Sequence, residues 1–211
     1  LTPGNTVVRG LNVVTGAEVW NYVPQSPVWN MNPVWGPDGN VFFNDQEGRL
    51  YSLSLTTGTE TWAPAGGELG TYTEAAAVYD SGHNVVVALG MLPYTGSGCN
   101  PYTAPGILPL CGNAPFKQGF IRAYNATSGR QRWSRTTPHP PASATSGMLN
   151  SPTNHTRLVV TMGFNCFRNS PSRIWGMDAH TGGVRWNKEG PTLWSSMCAG
   201  DKEGGDIRRA V

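Results

Sequence analysis

The stretch that decides the fold is Ile174-Trp-Gly-Met-Asp-Ala-His-Thr-Gly-Gly-Val-Arg-Trp186, because three other segments repeat its pattern without gaps. They are Val8-Arg-Gly-Leu-Asn-Val-Val-Thr-Gly-Ala-Glu-Val-Trp20, Leu50-Tyr-Ser-Leu-Ser-Leu-Thr-Thr-Gly-Thr-Glu-Thr-Trp62 and Ile121-Arg-Ala-Tyr-Asn-Ala-Thr-Ser-Gly-Arg-Gln-Arg-Trp133. Successive tryptophans are separated by 42, 71 and 53 residues. A unit of about 42 residues with insertions has the length of one four-stranded propeller blade.

Each repeated segment predicts a strand, a tight turn and a return strand. Glycine favours the turn because it adopts a positive φ, and the preceding Thr or Ser hydroxyl can bond the turn backbone. A small residue before the turn leaves room for the tryptophan ring. We expect each ring to wedge between neighbouring blades and to donate its N–H to an adjacent backbone carbonyl. The predicted docking residues are Trp20, Trp62, Trp133 and Trp186, with the turn glycines Gly16, Gly58, Gly129 and Gly182.

A second pattern recurs between these segments: an inner strand, a polar turn and a buried β-branched strand. One copy runs from Asn32-Pro-Val34 through Gly36-Pro-Asp-Gly39 to Asn40-Val-Phe-Phe43, and others start at Ala75 and Leu149. The sequence therefore predicts an all-β chain of four-stranded antiparallel propeller blades. The ring is incomplete, with about four of an expected seven or eight blades.

The predicted organisation is a single partial propeller over residues 1–211. Its parts are the end of a blade (1–20), a blade (21–62), a blade with a long insertion at 91–118 (63–133), a blade (134–186) and the start of a further blade (187–211). Open blades expose apolar sheet faces, which favour association. The expected partners are the remaining propeller blades or another chain that completes the ring.

Composition excludes several classes of protein. Charged residues are 13 % of the chain, and its 27 glycines and 17 prolines speak against helical bundles and coiled coils. The formal net charge of +2 and the absence of basic runs give no reason to expect nucleic acid. The sequence contains no run of 18 apolar residues, so it predicts no membrane span.

Four cysteines allow three disulfide pairings, and we favour Cys99–Cys111 and Cys166–Cys198 because the first pair would staple a loop rich in Gly, Pro and Asn. Buried thiols in a cytosolic protein are the alternative. The triplets that begin at Asn125 and Asn154 are acceptor sequences for N-glycosylation. Together these features favour a secreted protein or one in another oxidising compartment, such as the periplasm.

The repeated Ala-x-Asp-x-x-Thr-Gly-x-x-x-Trp signature resembles the tryptophan-docking repeat of the pyrroloquinoline-quinone (PQQ)-like β-propellers. That family contains quinoprotein alcohol dehydrogenases as well as the non-enzymatic outer-membrane assembly factor BamB. The resemblance covers nearly the whole chain. Where the family favours Asp, this chain has Asn12, Ser54, Asn125 and only once Asp178. We therefore expect the contact of that side chain with the turn to be weaker in places.

The resemblance also implies a candidate cofactor site. Gly96-Ser-Gly98-Cys99-Asn100-Pro101 is similar to a Gly-x-Gly-Asn-Pro stretch of the quinoprotein dehydrogenases, with an extra Cys, and the Asn of that stretch helps to hold Ca²⁺ beneath PQQ. Asn100 is the implied metal and cofactor residue, Glu74 the candidate buried acid and Trp35 a candidate lining residue. The alternative for the insertion that contains Asn100 is a loop that caps one propeller face. The alternative for Glu74 is a solvated residue at a strand end, and for Trp35 it is core packing.

Two main functions follow. The first is a secreted PQQ-like propeller segment that acts as a binding or structural module for a protein or glycan ligand. The second is a PQQ- and Ca²⁺-dependent dehydrogenase that oxidises alcohols or polyols. A repeating subunit of an extracellular assembly is a further possibility, because open blade edges can be completed by a neighbour. Catalytic residues are not identifiable from the sequence.

Overall fold

The computed structural model describes residues 6–28, 33–68, 71, 73, 76–92, 118–137, 147–150, 157–163 and 173–189, with the backbone alone at 147–150 and 157–163. These residues form strands and turns and contain no α-helix. The strands are β1 Val8–Leu11, β2 Glu18–Tyr22, β3 Val34–Trp35, β4 Asn40–Asn44, β5 Arg49–Ser54, β6 Ala65–Gly66, β7 Val78–Asp80, β8 Val85–Met91, β9 Gly119–Asn125, β10 Gln131–Thr137, β11 Gly147–Asn150, β12 Arg157–Gly163, β13 Arg173–Asp178 and β14 Val184–Glu189.

The strands form four separate antiparallel sheets in which neighbours along the chain pair with one another. The first sheet contains β1 and β2. The second contains β3 to β6, the third β7 to β10 and the fourth β11 to β14. This repeated up-and-down topology is that of propeller blades. The predicted fold class, an all-β partial propeller, is confirmed.

Strand β8 shows why the sheets stack. All seven of its residues are buried, because the strand has a neighbouring sheet on each of its faces. Val85, Val87 and Leu89 belong to the core between the third and fourth sheets. Val86 and Ala88 belong to the core between the second and third sheets. Side chains that alternate between the two faces therefore explain the continuous apolar run.

Successive sheets are joined by the same tryptophan contact. The indole Nε1 of Trp20 donates to the Leu55 carbonyl at 2.8 Å, that of Trp62 to the Ala126 carbonyl at 3.1 Å, and that of Trp133 to the Ala179 carbonyl at 3.0 Å. Each acceptor lies in the turn before the last strand of the following sheet. Each ring also covers the turn glycine of that sheet, where a Cβ would lie 2.5–2.6 Å from ring atoms. The glycines in question are Gly58, Gly129 and Gly182. We refer to this contact as the indole joint.

Side-chain oxygens of two residues hold each turn of the repeated segments. The Thr or Ser hydroxyl before the turn glycine accepts one backbone N–H at 3.2–3.4 Å, and an Asn, Ser or Asp four residues before the glycine supplies the other oxygen. Asn12 Oδ1 accepts two backbone N–H groups at 2.9 Å, and Asn125 and Asp178 Oδ1 each accept two at 2.9 and 3.0 Å. Ser54 Oγ accepts one at 3.4 Å. Replacement of Asp by Asn therefore keeps the turn contact, since both side chains present a carbonyl-type oxygen, whereas the shorter Ser side chain makes a longer bond.

The crowded turn glycines give a first prediction. Gly129 has a φ of +67° and its Cβ position lies 2.6 Å from the Trp62 ring, whereas Gly39 has a φ of +73° and no described atom within 4 Å of its Cβ position. Gly39→Ala should cost about 1 kcal/mol of unfolding free energy from the backbone alone. Gly129→Ala should cost at least about 1 kcal/mol more, because the ring must move. Urea unfolding of the two variants measures the difference, and equal losses would contradict the joint.

Asp178 gives a second prediction. Burial by itself raises the pKa of this carboxyl, but hydrogen bonds from Arg185 and from the backbone of Thr181 outweigh it and lower the pKa to about 2. Because the pKa in the folded state is depressed, the resulting stability is present above about pH 4 and is lost as pH falls towards 2. Asp178→Asn should keep the turn contact, as Asn125 does, and should lose the pH-dependent contribution of Asp178 to the free energy of unfolding.

The free energies of unfolding of wild type and Asp178→Asn should therefore converge between pH 4 and pH 2 in urea titrations. Asp178→Ala is the matched control, because it also removes the acceptor of the two turn N–H groups. This variant should be less stable than Asp178→Asn by about 1 kcal/mol at every pH. If the difference in unfolding free energy between wild type and Asp178→Asn stayed constant across this pH range, ionised Asp178 would not stabilise the fold.

Candidate functional site

An apolar groove with a volume of about 250 Å³ lies between the first and second sheets. Trp35, on strand β3, is 62 % exposed at this groove. The first sheet contributes Val8, Arg9, Gly10, Leu11 and Trp20 to its lining. The second sheet contributes Trp35, Val41, Phe43 and Leu55, and Pro33 completes the lining. Except for Arg9, these side chains carry no charge, so the groove suits an apolar ligand surface.

Phe43, which lines the groove, belongs to a cluster of closely packed aromatic rings. Phe43 and Tyr51 stack with ring centroids 5.0 Å apart and an interplanar angle of 7°. Tyr22 meets Tyr51 edge-on at 5.7 Å. Phe43 and Tyr51 are fully buried. Such contacts fix ring positions beyond what simple burial does.

Asp45, which contacts this aromatic cluster through Tyr51, anchors the loop between β4 and β5. Its Oδ2 accepts the Tyr51 hydroxyl and the Arg49 guanidinium, both at 2.7 Å, and its Oδ1 accepts the backbone N–H groups of Glu47 and Arg49 at 3.0 Å. Burial raises the pKa of Asp45, although the bonds from Tyr51 and Arg49 oppose this effect. Burial also raises the pKa of Tyr51, so its hydroxyl stays a donor. All four bonds of this carboxylate hold the loop.

The other buried carboxylates of the described residues are also used by turns. Asp80 accepts the Gly82 backbone N–H at 2.9 Å and lies 2.6 Å from Nδ1 of His83. Asp178 accepts two turn N–H groups and the Arg185 guanidinium at 2.7 Å. Carboxylates engaged in this way stabilise the fold and do not point into the groove.

Strand β1 borders the groove, and one of its edges pairs with no strand of the described residues. In the second, third and fourth sheets, the strand at the same place in the repeat (β5, β9 or β13) pairs with a strand on both sides. Among the described residues β1 pairs with β2 alone. Its other side therefore offers backbone N–H and C=O groups to an added strand.

The residues predicted from the sequence are only partly brought together. Trp20 and Trp35 both line the groove. Asn125 is the last residue of β9, and its Oδ1 accepts two backbone N–H groups of the turn that follows. Its glycosylation stays a prediction. The following predicted residues lie outside the described residues: Glu74, Asn100, Cys99, Cys111, Cys166, Cys198 and Asn154.

The groove at Trp35 does not fit Ca²⁺-bound PQQ. A hard cation needs several oxygen ligands, whereas the described lining is apolar apart from the cationic Arg9. Within the described ranges, no group of three or more His, Cys, Asp or Glu side chains is arranged to hold a metal ion. A role for Glu74 and Asn100 stays a prediction.

Sequence reasoning missed the groove and the Asp45 network. The Asp45-Gln-Glu-Gly-Arg49 loop carried a usable signal, since an Asp followed by Gly and Arg in a short loop can cap the loop backbone. The contact of Asp45 with Tyr51 depends on how two strands pair and has no local signature. The described part of the chain also contains no helix that is long and apolar enough to span a membrane.

Comparison with known proteins gives one match over most of the sequence. The family model described as outer membrane protein assembly factor BamB matches residues 4–201. No curated protein sequence matches the chain.

Several solved structures share the fold. BamB from Moraxella catarrhalis is 19 % identical, with a TM-score of 0.50, and the match covers 87 % of this chain and 43 % of that one. The quinohemoprotein alcohol dehydrogenase ADHIIG from Pseudomonas putida HK5 is 15 % identical, with a TM-score of 0.54 and coverage of 87 % and 32 %. Saccharomyces cerevisiae Sqt1 is 13 % identical, with a TM-score of 0.53 and coverage of 88 % and 42 %.

The chain thus spans less than half the length of each of these structures. At these identities the likeness shows a common fold, and it leaves activity and partners open. The family match is broader, because it takes in all four repeated segments. Together with the four-sheet topology, it shows that the chain belongs to the PQQ-like β-propeller family typified by the outer membrane protein assembly factor BamB.

Proposed function

We propose that the chain is an extracytoplasmic propeller module whose function is binding, and that it binds an extended segment of a protein partner along β1. The edge of β1 that no described strand pairs, beside the apolar groove, carries this proposal. Such an edge gives affinity through backbone hydrogen bonds, and the groove gives selectivity through side chains. The family description, which names an outer-membrane assembly factor, supports a location outside the cytoplasm.

The chemistry of the partner follows from the internal repeats. Gly10 occupies the place of Ser52, Ala123 and Gly176, and these residues pair with Phe42, Val87 and Val160 on the adjacent strands. Gly10 also lies under the Trp20 ring, on the face that lines the groove. A segment added to β1 therefore needs an apolar residue opposite Gly10, because directly opposed residues share one face of a sheet.

A peptide with the sequence of β12, Arg157-Leu-Val-Val-Thr-Met-Gly163, is a suitable probe, since its own strand fills this place in the fourth sheet. A fluorescent copy with solubilising lysines should bind the chain, as measured by anisotropy. A peptide with Val160→Asp should bind at least tenfold more weakly, because the residue opposite Gly10 then places a charge in the groove.

The matched control is a peptide with Val159→Asp, whose new charge points to the opposite face. It should retain most of the affinity. Equal losses for the two peptides would show that binding is not directed by the groove. A chain that binds none of the three peptides would refute the proposed use of β1.

The dehydrogenase alternative rests on the resemblance of 96–101 to a quinoprotein stretch. The buried carboxylates of the described residues are engaged in loops and turns, which supports binding over catalysis. We expect the protein, supplied with PQQ and Ca²⁺, to give no dye reduction with alcohols or polyols above the rate without protein. Turnover above that background, abolished by a chelator, would overturn the binding proposal in favour of the dehydrogenase.

A further inference from the structure

Two histidine side chains face each other across the junction of the third and fourth sheets. His83 lies in the turn between β7 and β8, and His180 lies in the turn between β13 and β14. Their ring centroids are 5.2 Å apart, and the ring planes are inclined by 30°. Two imidazoles bound to one tetrahedral zinc ion have ring centres about 5 Å apart, since each Zn–N bond is about 2 Å long. The spacing of the two rings therefore suits a shared metal ion.

A buried carboxylate orients the first of these rings. The Asp80 side chain is fully buried, and its Oδ2 lies 2.6 Å from Nδ1 of His83. Its Oδ1 accepts the Gly82 backbone N–H at 2.9 Å. Because a carboxylate accepts hydrogen bonds, the neutral His83 ring carries its proton on Nδ1 and a lone pair on Nε2. Metal-binding histidines are typically held in this way through their other nitrogen.

The indole joint fixes the position of the second ring. Ala179, which precedes His180, accepts Nε1 of Trp133 at 3.0 Å, and the Gly182 carbonyl accepts Nε of Arg135 at 2.9 Å. Both donors lie on β10 of the third sheet, so the turn of the fourth sheet is held against it from two sides. His180 itself is exposed. A metal ion can therefore reach the pair from solvent, and its binding requires little ordering of the backbone.

The repeat itself does not require either histidine. Thr56 and Thr127 take the place of His180 in the second and third sheets. Asp38 takes the place of His83 in the second sheet, because the following residue in each sheet accepts a backbone N–H from the turn after the third strand. The junction of the second and third sheets is thus built without these rings, and the fold does not account for their pairing at the next junction.

We propose that His83 and His180 together bind a divalent transition-metal ion of the zinc type, which links the third and fourth sheets. Nε2 of His83 is one ligand, a ring nitrogen of His180 is the second, and water completes the coordination. Imidazole suits Zn²⁺, Ni²⁺ and Cu²⁺, whereas Mg²⁺ prefers oxygen ligands. This site goes beyond the proposed function, since the groove and β1 belong to the other end of the described sheets and can be tested separately.

Isothermal titration calorimetry of the protein without a polyhistidine tag, at neutral pH, tests the proposal. Wild type should bind one equivalent of Zn²⁺ that His180→Thr binds at least about tenfold more weakly, because this variant lacks one ligand. Its threonine is the residue that two other sheets carry at that place, so the variant should remain folded. Mg²⁺ should not compete for the equivalent.

Asp80→Asn tests the orientation of the first ring. The amide can donate to Nδ1 of His83, which leaves the ring proton on Nε2 and removes the lone pair that would bind the metal. The affinity for Zn²⁺ should fall by about 10–100-fold. An unchanged affinity in a folded Asp80→Asn variant would contradict Nε2 of His83 as a ligand.

The matched control is the double variant His139→Gln/His155→Gln, which removes the other two histidines of the chain and should keep the equivalent. Zn²⁺ should also raise the midpoint of thermal unfolding of wild type and of this control more than that of His180→Thr, because the ion binds the folded state. Circular dichroism without metal should show that His180→Thr is folded. A wild type that binds no Zn²⁺, or an equivalent that His180→Thr retains or the control loses, would overturn the site.

Discussion

The relative position of the sheets depends on one contact, an indole ring that lies against a glycine of the following sheet. The contact combines three requirements. The ring needs an apolar surface beneath it, its N–H needs an acceptor once it is buried, and the residue directly beneath the ring must have no side chain. A turn glycine next to a free carbonyl meets all three, as Gly129 and the Ala126 carbonyl do for Trp62. This contact accounts for the sequence repeat, because the turn glycine and the tryptophan must both recur in every sheet.

The repeat predicted the architecture because its determinants are local. A turn glycine and the tryptophan four residues later lie in one hairpin, and the run that forms β8 is apolar throughout, as a strand between two sheets must be. The conservative change from Asp to Asn at 12 and 125 is harmless for a local reason too, since the turn needs an oxygen acceptor and no charge.

The groove and the Asp45 network were not predictable in the same way. Trp35 is an apolar residue in a strand, and core packing is the ordinary expectation for it. Its exposure depends on which residues the neighbouring sheet places over β3, which is a property of the assembly of sheets. Asp45 belongs to a short loop, but its bond to Tyr51 joins residues whose proximity depends on strand register. Local patterns do not encode contacts of that kind.

The stacking of sheets also determines how cooperatively the chain opens. Each sheet contacts only its neighbours, so the free energy of opening is close to a sum over sheets and the interfaces between them. The third sheet has a packed core on both faces, and β8 lies at its centre. The first sheet has a core on one face. Amide hydrogen exchange should therefore be slowest in β8 and faster in β1 and β2, because a strand with packed sheets on both faces opens only when two interfaces separate.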